Sequence, residues 1–490
     1  MPRAYLTRLR ALWPLAAVGA AQAILFVPFA LRRFVDPDEG WYGFGAVRAL
    51  RGDVPYVDFF YPQMPLLPYV YGAWTTVFGD SWHAERFCSA VLAVAVGVLV
   101  YTYARRVSTL AAALAATAAY ATSALVFVWF ATIKTYALTA LLLVGALVLL
   151  DRPRPRPFAA GLLSGLAVAS RLLAAAALPA YVFVVWRRGR SSTASFTVGA
   201  LAGLAPALVL LAWDPGAFVF DNLGYHSARS SGGLVGDLPQ KAHVVGNLFG
   251  LGATDTAAGL QFLGLVLVAL WAAAASLVLA RRVPLPLAVA GLLGVASIVP
   301  TPAYVQYYSL TVPFLVLGIV EAFPLLRRSV RAVAGRLVVA CAAAAAIAYG
   351  AAAAVDVRDY DRSRAEPGAN IAAVEDVADA VKGQVRPGEA VLTTWPGYLI
   401  GTPATTVDGT GLANFVLDAT ERLSSAQIER NGLKTTAAVE RLIRAGAVRV
   451  IVFRPWAPSN GPRWPDVIGG SGYRLVSTVG TARIYRLGSG

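Results

Sequence analysis

The sequence predicts a polytopic α-helical membrane protein of about 11 spans, closed by a small α/β domain. Three observations carry this expectation. The 490 residues are 57% hydrophobic and only 14% charged, with a mean hydropathy of +0.61. Several apolar runs reach the roughly 20 residues that cross a bilayer. Arginine falls in short clusters between those runs, as in cytoplasmic loops. From Asp356 onward the composition becomes that of a soluble domain, so the expected domains are 1–355 and 356–490.

Ala11 to Leu31 reads as the first span. Arg3, Arg8 and Arg10 precede it, which places the N-terminus in the cytoplasm. Arg32-Arg33 and bulky residues follow it, unlike a signal-peptide cleavage site. Arg32 to Arg86 reads as a long outer segment, rich in aromatic residues and proline and suited to the membrane interface. Ala90 to Tyr103 anchors the second span, which returns to Arg105-Arg106. Val107 to Leu150 is long enough for two spans with a tight outer turn near Ala131 to Thr135. Alternating prolines in Asp151 to Pro157 exclude a helix there. Phe158 to Trp186 is long for one span and short for two, with Arg171 in the middle, and reads as a pair of short or re-entrant helices. Phe196 to Trp213, Leu260 to Ala280, Leu285 to Val299, Leu310 to Leu326 and Leu337 to Val355 complete the spans, with Asp214 to Ala258 as a second outer loop. In the last domain, Val391 to Thr394 and Val448 to Phe453 read as strands, Thr435 to Ala445 as an amphipathic helix, and Tyr473 to Tyr485 as a hairpin around Val479-Gly480. Gly161-x-x-x-Gly165 and Gly199-x-x-x-Gly203 read as close helix contacts.

The net charge of +15 does not indicate a nucleic-acid partner, because the arginines form no basic domain. Cys88 and Cys341 both lie in apolar runs, so no disulfide framework is expected. The Ala, Val, Gly and Arg bias is that of a GC-rich bacterial genome.

The most informative chemistry follows span one: Asp36-Pro37-Asp38-Glu39, running into Gly40-Trp41-Tyr42. Three carboxylates in four residues should repel one another and raise one another's pKa. Either this is a solvated Asp-Pro turn with an acidic helix cap, or something binds there. Asp36-x-Asp38 also matches the metal- and nucleotide-sugar-binding pattern of soluble transferases, but it lacks the surrounding nucleotide-binding fold. Buried basic residues inside apolar stretches are functional candidates, and Lys134 and Arg171 are the isolated ones. His83, His226 and His243 show no metal-ligand spacing.

Downstream lie Tyr56-Val57-Asp58-Phe59-Phe60-Tyr61-Pro62-Gln63-Met64-Pro65-Leu66, then Phe78-Gly79-Asp80-Ser81-Trp82 and Glu85-Arg86-Phe87. In this order the motifs resemble the GT-C membrane glycosyltransferases that use polyprenyl-phosphate sugars, including protein O-mannosyltransferases and aminoarabinose transferases. The resemblance spans Asp36 to Ala90 and continues loosely to Tyr304 to Pro313. It implies Asp38 as general base, Glu39 positioning the acceptor or Asp38, and an inverting transfer to a hydroxyl of a cell-envelope lipid, glycan or protein. Asp36 would bind a divalent metal or cap the turn; no cofactor is otherwise implied. Lys134, Arg171, His226, Arg229, Gln306, Tyr307 and Tyr308 are the candidates for donor phosphate or sugar, and Tyr42, Tyr61 and Arg86 for the acceptor or loop support. Pro62-Gln63-Met64-Pro65 departs from the aminoarabinose transferases, which carry a lysine in this element. The expected setting is the bacterial inner (plasma) membrane, with the α/β domain outside. A lipid-linked-glycan flippase and an inactive scaffold of the same fold are the alternatives.

Overall fold

The computed structural model describes residues 2–228, 237–252, 256–329, 370–410, 414–454 and 464–488. The expected last span, Leu337 to Val355, lies outside the described residues. The chain divides into two compact units: one takes Met1–Ala30, Ser89–Pro206 and Gly232–Asp356, the other Leu31–Cys88, Ala207–Ser231 and Val357–Gly490. The residues expected to form a separate C-terminal domain thus share a unit with the first loop and part of the second.

Among the described residues, five helices are long and apolar enough to cross a membrane: Trp13–Arg32, Trp82–Val107, Arg190–Trp213, Thr256–Ala280 and Val305–Leu325. Leu110–Ala121 and Ala124–Phe130 make a sixth if counted together, with a bend of 58° between them. Shorter apolar helices cover Thr135–Leu150, Pro157–Ser170, Leu172–Arg187 and Leu285–Ile298.

In the first unit, the breaks in these helices have identifiable supports. At the bend, Gln261 donates Nε2–H to the Thr122 carbonyl (3.0 Å) and accepts the Ala124 N–H (2.8 Å). One amide side chain therefore satisfies backbone groups that the helix leaves open. The turn expected near Ala131 to Thr135 is present, and Thr135–Leu150 starts after Lys134. The pair expected over Phe158 to Trp186 is also present. Pro157–Ser170 stops at Arg171, which takes extended backbone angles, and a 3₁₀ turn, Leu172–Ala177, leads into Leu178–Arg187.

The two glycine pairs interlock. A Cβ on Gly161 or Gly165 would collide with the backbone of Phe196 or Ala200, and one on Gly199 or Gly203 with that of Phe158 or Leu162. Pro157–Ser170 and Arg190–Trp213 therefore touch backbone to backbone, where a side chain has no room to yield.

The second unit holds two helices in the first loop, Glu39–Leu50 and Leu66–Phe78. They pack closely where the missing side chain of Gly72 faces the Ala46 carbonyl. The second loop, expected over Asp214 to Ala258, carries helices Pro215–Val219 and Tyr225–Ala228 around a π-helical turn, Phe220–Gly224. Asp214 caps the first of these by accepting the Ala217 N–H at 2.9 Å.

The same unit contains a five-stranded sheet in the order β2-β1-β3-β5-β4. Its strands are β1 Ala390–Thr393, β2 Thr405–Thr406, β3 Val450–Phe453, β4 Tyr473–Val479 and β5 Ala482–Leu487. β1 pairs in parallel with β2 and β3, whereas β5 pairs antiparallel with β3 and β4. All four residues of β3 are buried, as expected of a strand covered on both faces. The amphipathic helix runs Thr436–Arg444 and buries Val439 and Ile443 in a core with Leu392, Ile451 and Trp464.

The glycine interlock yields the first prediction. Gly161→Val should lower thermal stability in detergent by about 1–3 kcal/mol through overpacking. Gly264→Ala, where a methyl meets nothing within 4 Å, should leave stability unchanged or raise it.

Candidate active site

The acidic loop of the second unit is folded back on itself. The Asp36 carbonyl accepts the Glu39 N–H (3.0 Å), and Glu39 Oε1 accepts the Asp36 N–H (2.8 Å). Asp36 Oδ1 accepts the Asp38 N–H at 3.0 Å. Asp38 occupies the N-cap position of Glu39–Leu50, yet its side chain makes no capping bond. The Asp36 and Glu39 carboxylates thus both bond loop backbone. The Asp38 carboxylate stands, half-buried, at the helix start.

Glu39 is buried together with Arg86. Arg86 donates Nε–H to Glu39 Oε2 (2.5 Å) and Nη2–H to Oε1 (2.7 Å), and both side chains are fully buried. Arg86 Nη2 also donates to the Phe34 carbonyl at 2.9 Å. Such a two-pronged pair fixes direction as well as distance. The cluster is therefore no solvated turn, and Arg86 is the ion-pair partner of its Glu39.

Glycines let the helix approach its neighbours. A Cβ on Gly43 would collide with the Glu85 carboxylate, and one on Gly40 with the Trp395 indole. Glu85 is itself fully buried. Its place in the first turn of Trp82–Val107 is one where an acid commonly just serves the helix start, so its sequence position gives no sign of this burial. Trp395 escaped notice because an aromatic residue next to a proline carries no chemical signature of its own.

An aromatic wall flanks the loop. Trp41 and Tyr42 stack at 3.7 Å, and Tyr61 meets them edge-on at 5.6 and 6.4 Å. Tyr42 and Tyr61 are both buried. The Tyr61 N–H is held by Asp221 Oδ2 (2.8 Å) from the π-helical turn. Burial pushes the Asp221 carboxyl well above the usual carboxylate range. No pattern around Asp221 marked it in the sequence. His226 Nε2 lies 2.9 Å from the Pro62 carbonyl, so its Nε2 carries the proton and ties the second loop to the first. Arg229 lies outside the described residues.

The remaining candidates lie in the first unit. Arg171 is buried, donates Nη1–H to Thr135 Oγ1 (3.0 Å), and lies over the rings of Tyr136 (4.6 Å) and Tyr307 (4.8 Å). Lys134, adjacent in the chain to Thr135, is buried with Nζ 4.8 Å from the Trp129 ring. Aromatic faces offset part of the cost of withdrawing these cations from water. Tyr308 is buried against Phe262, and Gln306 is half-buried. The structure thus groups Asp36, Asp38, Glu39, Tyr42, Tyr61, Arg86 and His226 in one unit, and Lys134, Arg171, Gln306, Tyr307 and Tyr308 in the other.

Among the described residues, no group of three or more His, Cys, Asp or Glu side chains is placed to hold a metal ion. Asp36 Oδ1 caps the turn by accepting the Asp38 N–H.

The buried pair sets a second prediction. Arg86→Met or Glu39→Gln leaves one partner buried without its complement. Each should cost about 3–5 kcal/mol of stability, read as a lowered thermal unfolding midpoint.

The sequence profile of the dolichyl-phosphate-mannose-protein mannosyltransferase family matches residues 61–213. No curated protein matches the sequence. The crystal structure of ArnT from Cupriavidus metallidurans bound to undecaprenyl phosphate superposes with a TM-score of 0.66 at 15% identity, covering 98% of this chain and 99% of that one. The apo form of the same protein gives 0.66 at 16% identity, covering 99% and 100%. Mycobacterial arabinofuranosyltransferase AftD gives 0.46 at 18% identity, covering 98% of this chain and 40% of that one. The chain is therefore a membrane protein of the GT-C fold, matched over residues 61–213 by the dolichyl-phosphate-mannose-protein mannosyltransferase family.

Proposed function

We propose that the protein transfers a sugar from a polyprenyl-phosphate donor to a hydroxyl of a cell-envelope lipid, glycan or protein. The observation that carries this reading is the division of labour in the acidic loop. Asp36 and Glu39 hold the backbone, and Arg86 holds Glu39, which fixes the place of Asp38 at the start of Glu39–Leu50. The likeness to ArnT, crystallised with undecaprenyl phosphate, supports a lipid phosphate as the donor's carrier.

In this reaction the acceptor oxygen attacks the anomeric carbon as Asp38 takes its proton. The bond to the phosphate oxygen breaks and the polyprenyl phosphate leaves with the electron pair. Attack opposite the leaving group inverts the sugar carbon. A phosphate leaves readily, so proton removal is the step that needs help. Glu39 positions Asp38, and Tyr42 and Tyr61 shape the loop's surroundings. Arg171 and Lys134, with Gln306, Tyr307 and Tyr308, are assigned to the donor. Their positive charge would stabilise the phosphate as its negative charge grows. His226 supports the loop through Pro62.

The proposed setting is the bacterial inner membrane, with about 11 spans, the N-terminus in the cytoplasm and the reaction on the outer face. The arginine clusters and the shorter apolar helices support that count. The domain comprising 356–490 is proposed to lie outside the cell. A transporter reading keeps one observation in its favour: the helix broken at Arg171, since broken helices bind anionic groups in transporters.

The test is release of polyprenyl phosphate from a panel of short-chain polyprenyl-phosphate sugars, with membrane lipid extract as acceptor. Asp38→Asn should reduce turnover by about 10²–10⁴-fold. Turnover that survives the substitution removes Asp38 from the role of base. Lipid binding without turnover of any donor favours transport. Arg171→Lys loses the planar stack and should raise the KM for donor about tenfold while changing kcat less.

A further inference from the structure

Past β1 the chain runs through Thr394 and Trp395 into a 3₁₀ turn, Pro396–Leu399. Trp395 is only 3% exposed. Its indole Nε1–H donates to the Pro37 carbonyl at 2.8 Å. That carbonyl belongs to the peptide joining Pro37 to Asp38. The N–H of the same peptide donates to Asp36 Oδ1 at 3.0 Å. One peptide plane is therefore held at both ends, and it is the plane that sets the direction in which Asp38 projects.

The indole is anchored in turn. Trp82 stacks on it at 5.5 Å and donates its own Nε1–H to the Gly397 carbonyl at 3.0 Å. Thr393 Oγ1 accepts the Trp395 N–H (3.2 Å) and donates to the Trp395 carbonyl (2.9 Å). Glycine at positions 40 and 397 leaves room for the ring, since a methyl at either would collide with it. Gly401 N–H donates to Asp80 Oδ1 at 3.1 Å, which fastens the end of the same turn to the first loop.

We propose that Trp395 is a positioning residue for sugar transfer: by holding the Pro37 carbonyl it fixes the direction of the Asp38 carboxylate. This rests on Asp38 being the base. It makes the α/β domain part of the machinery that orients the reacting groups, in addition to any part it takes in choosing the acceptor.

Trp395→Phe keeps most of the ring and its stacking but removes the donor. Tyr473→Phe removes a comparable buried bond of the same domain, from the Tyr473 hydroxyl to the Val448 carbonyl (2.6 Å), and serves as the control. In the purified full-length protein, Trp395→Phe should lower kcat about 10–100-fold with the KM for donor unchanged, since a small displacement of a reacting group costs that much. It should also speed hydrogen exchange at the Asp38 and Glu39 amides. Tyr473→Phe should do neither, even where both variants lose similar thermal stability. Wild-type kcat in Trp395→Phe, beside an inactive Asp38→Asn, overturns the positioning role. Full turnover in Asp38→Asn instead overturns the assignment of the base. If no donor is turned over, exchange decides, and unchanged protection at Asp38 and Glu39 in Trp395→Phe overturns the tether.

Discussion

The Glu39–Arg86 pair is the constraint around which the first loop is organised. Two opposite charges without access to water are tolerated only when their geometry is good and their other polar atoms are occupied. Here the guanidinium meets both carboxylate oxygens and the Phe34 carbonyl, and Glu39 Oε1 also receives the Asp36 N–H. The pair therefore settles where Glu39–Leu50 begins, and the start of that helix settles where Asp38 stands. Gly40 and Gly43 follow from the same requirement, because a helix entering so crowded a site must present bare backbone to its neighbours.

The first unit handles buried charge differently. Arg171 and Lys134 lie against aromatic rings, and Arg171 also binds a threonine hydroxyl. Rings attract a cation without cancelling its charge, whereas a carboxylate partner does cancel it. Arg86 thus meets a carboxylate with two bonds in one unit, and ring faces flank Arg171 and Lys134 in the other. Stacking of this kind suits a planar guanidinium, which can lie on a ring and still donate from its edge, as Arg171 does to Thr135.

Much of the helical layout was legible because apolar length and arginine placement are properties of single segments. The break at Arg171, the turn at Lys134 and the strands near 391 and 450 were found in this way. The glycine pairs were legible too, since spacing by four places them on one helix face. Helix Glu39–Leu50 was harder to see, because Gly40, Gly43 and Gly45 depress helix propensity and are tolerated only through tertiary packing. Long-range partners left little trace. Asp221 reaches Tyr61, and Trp395 reaches Pro37, across separations that no local pattern encodes. The folding of the second loop around a π-helical turn was missed for the same reason.

The contact between Trp395 and Pro37 joins residues 358 positions apart in the chain. At translation rates of about 5–20 residues per second, the acidic loop waits roughly 20–70 s for its partner to be made. Every intervening hydrophobic segment must be synthesised before the contact can close. A ribosome that stalls in that interval leaves a fragment containing all three carboxylates without the indole that aligns them. A chain that ends before residue 395 therefore lacks the bond to the Pro37 carbonyl, however well its earlier segments have folded.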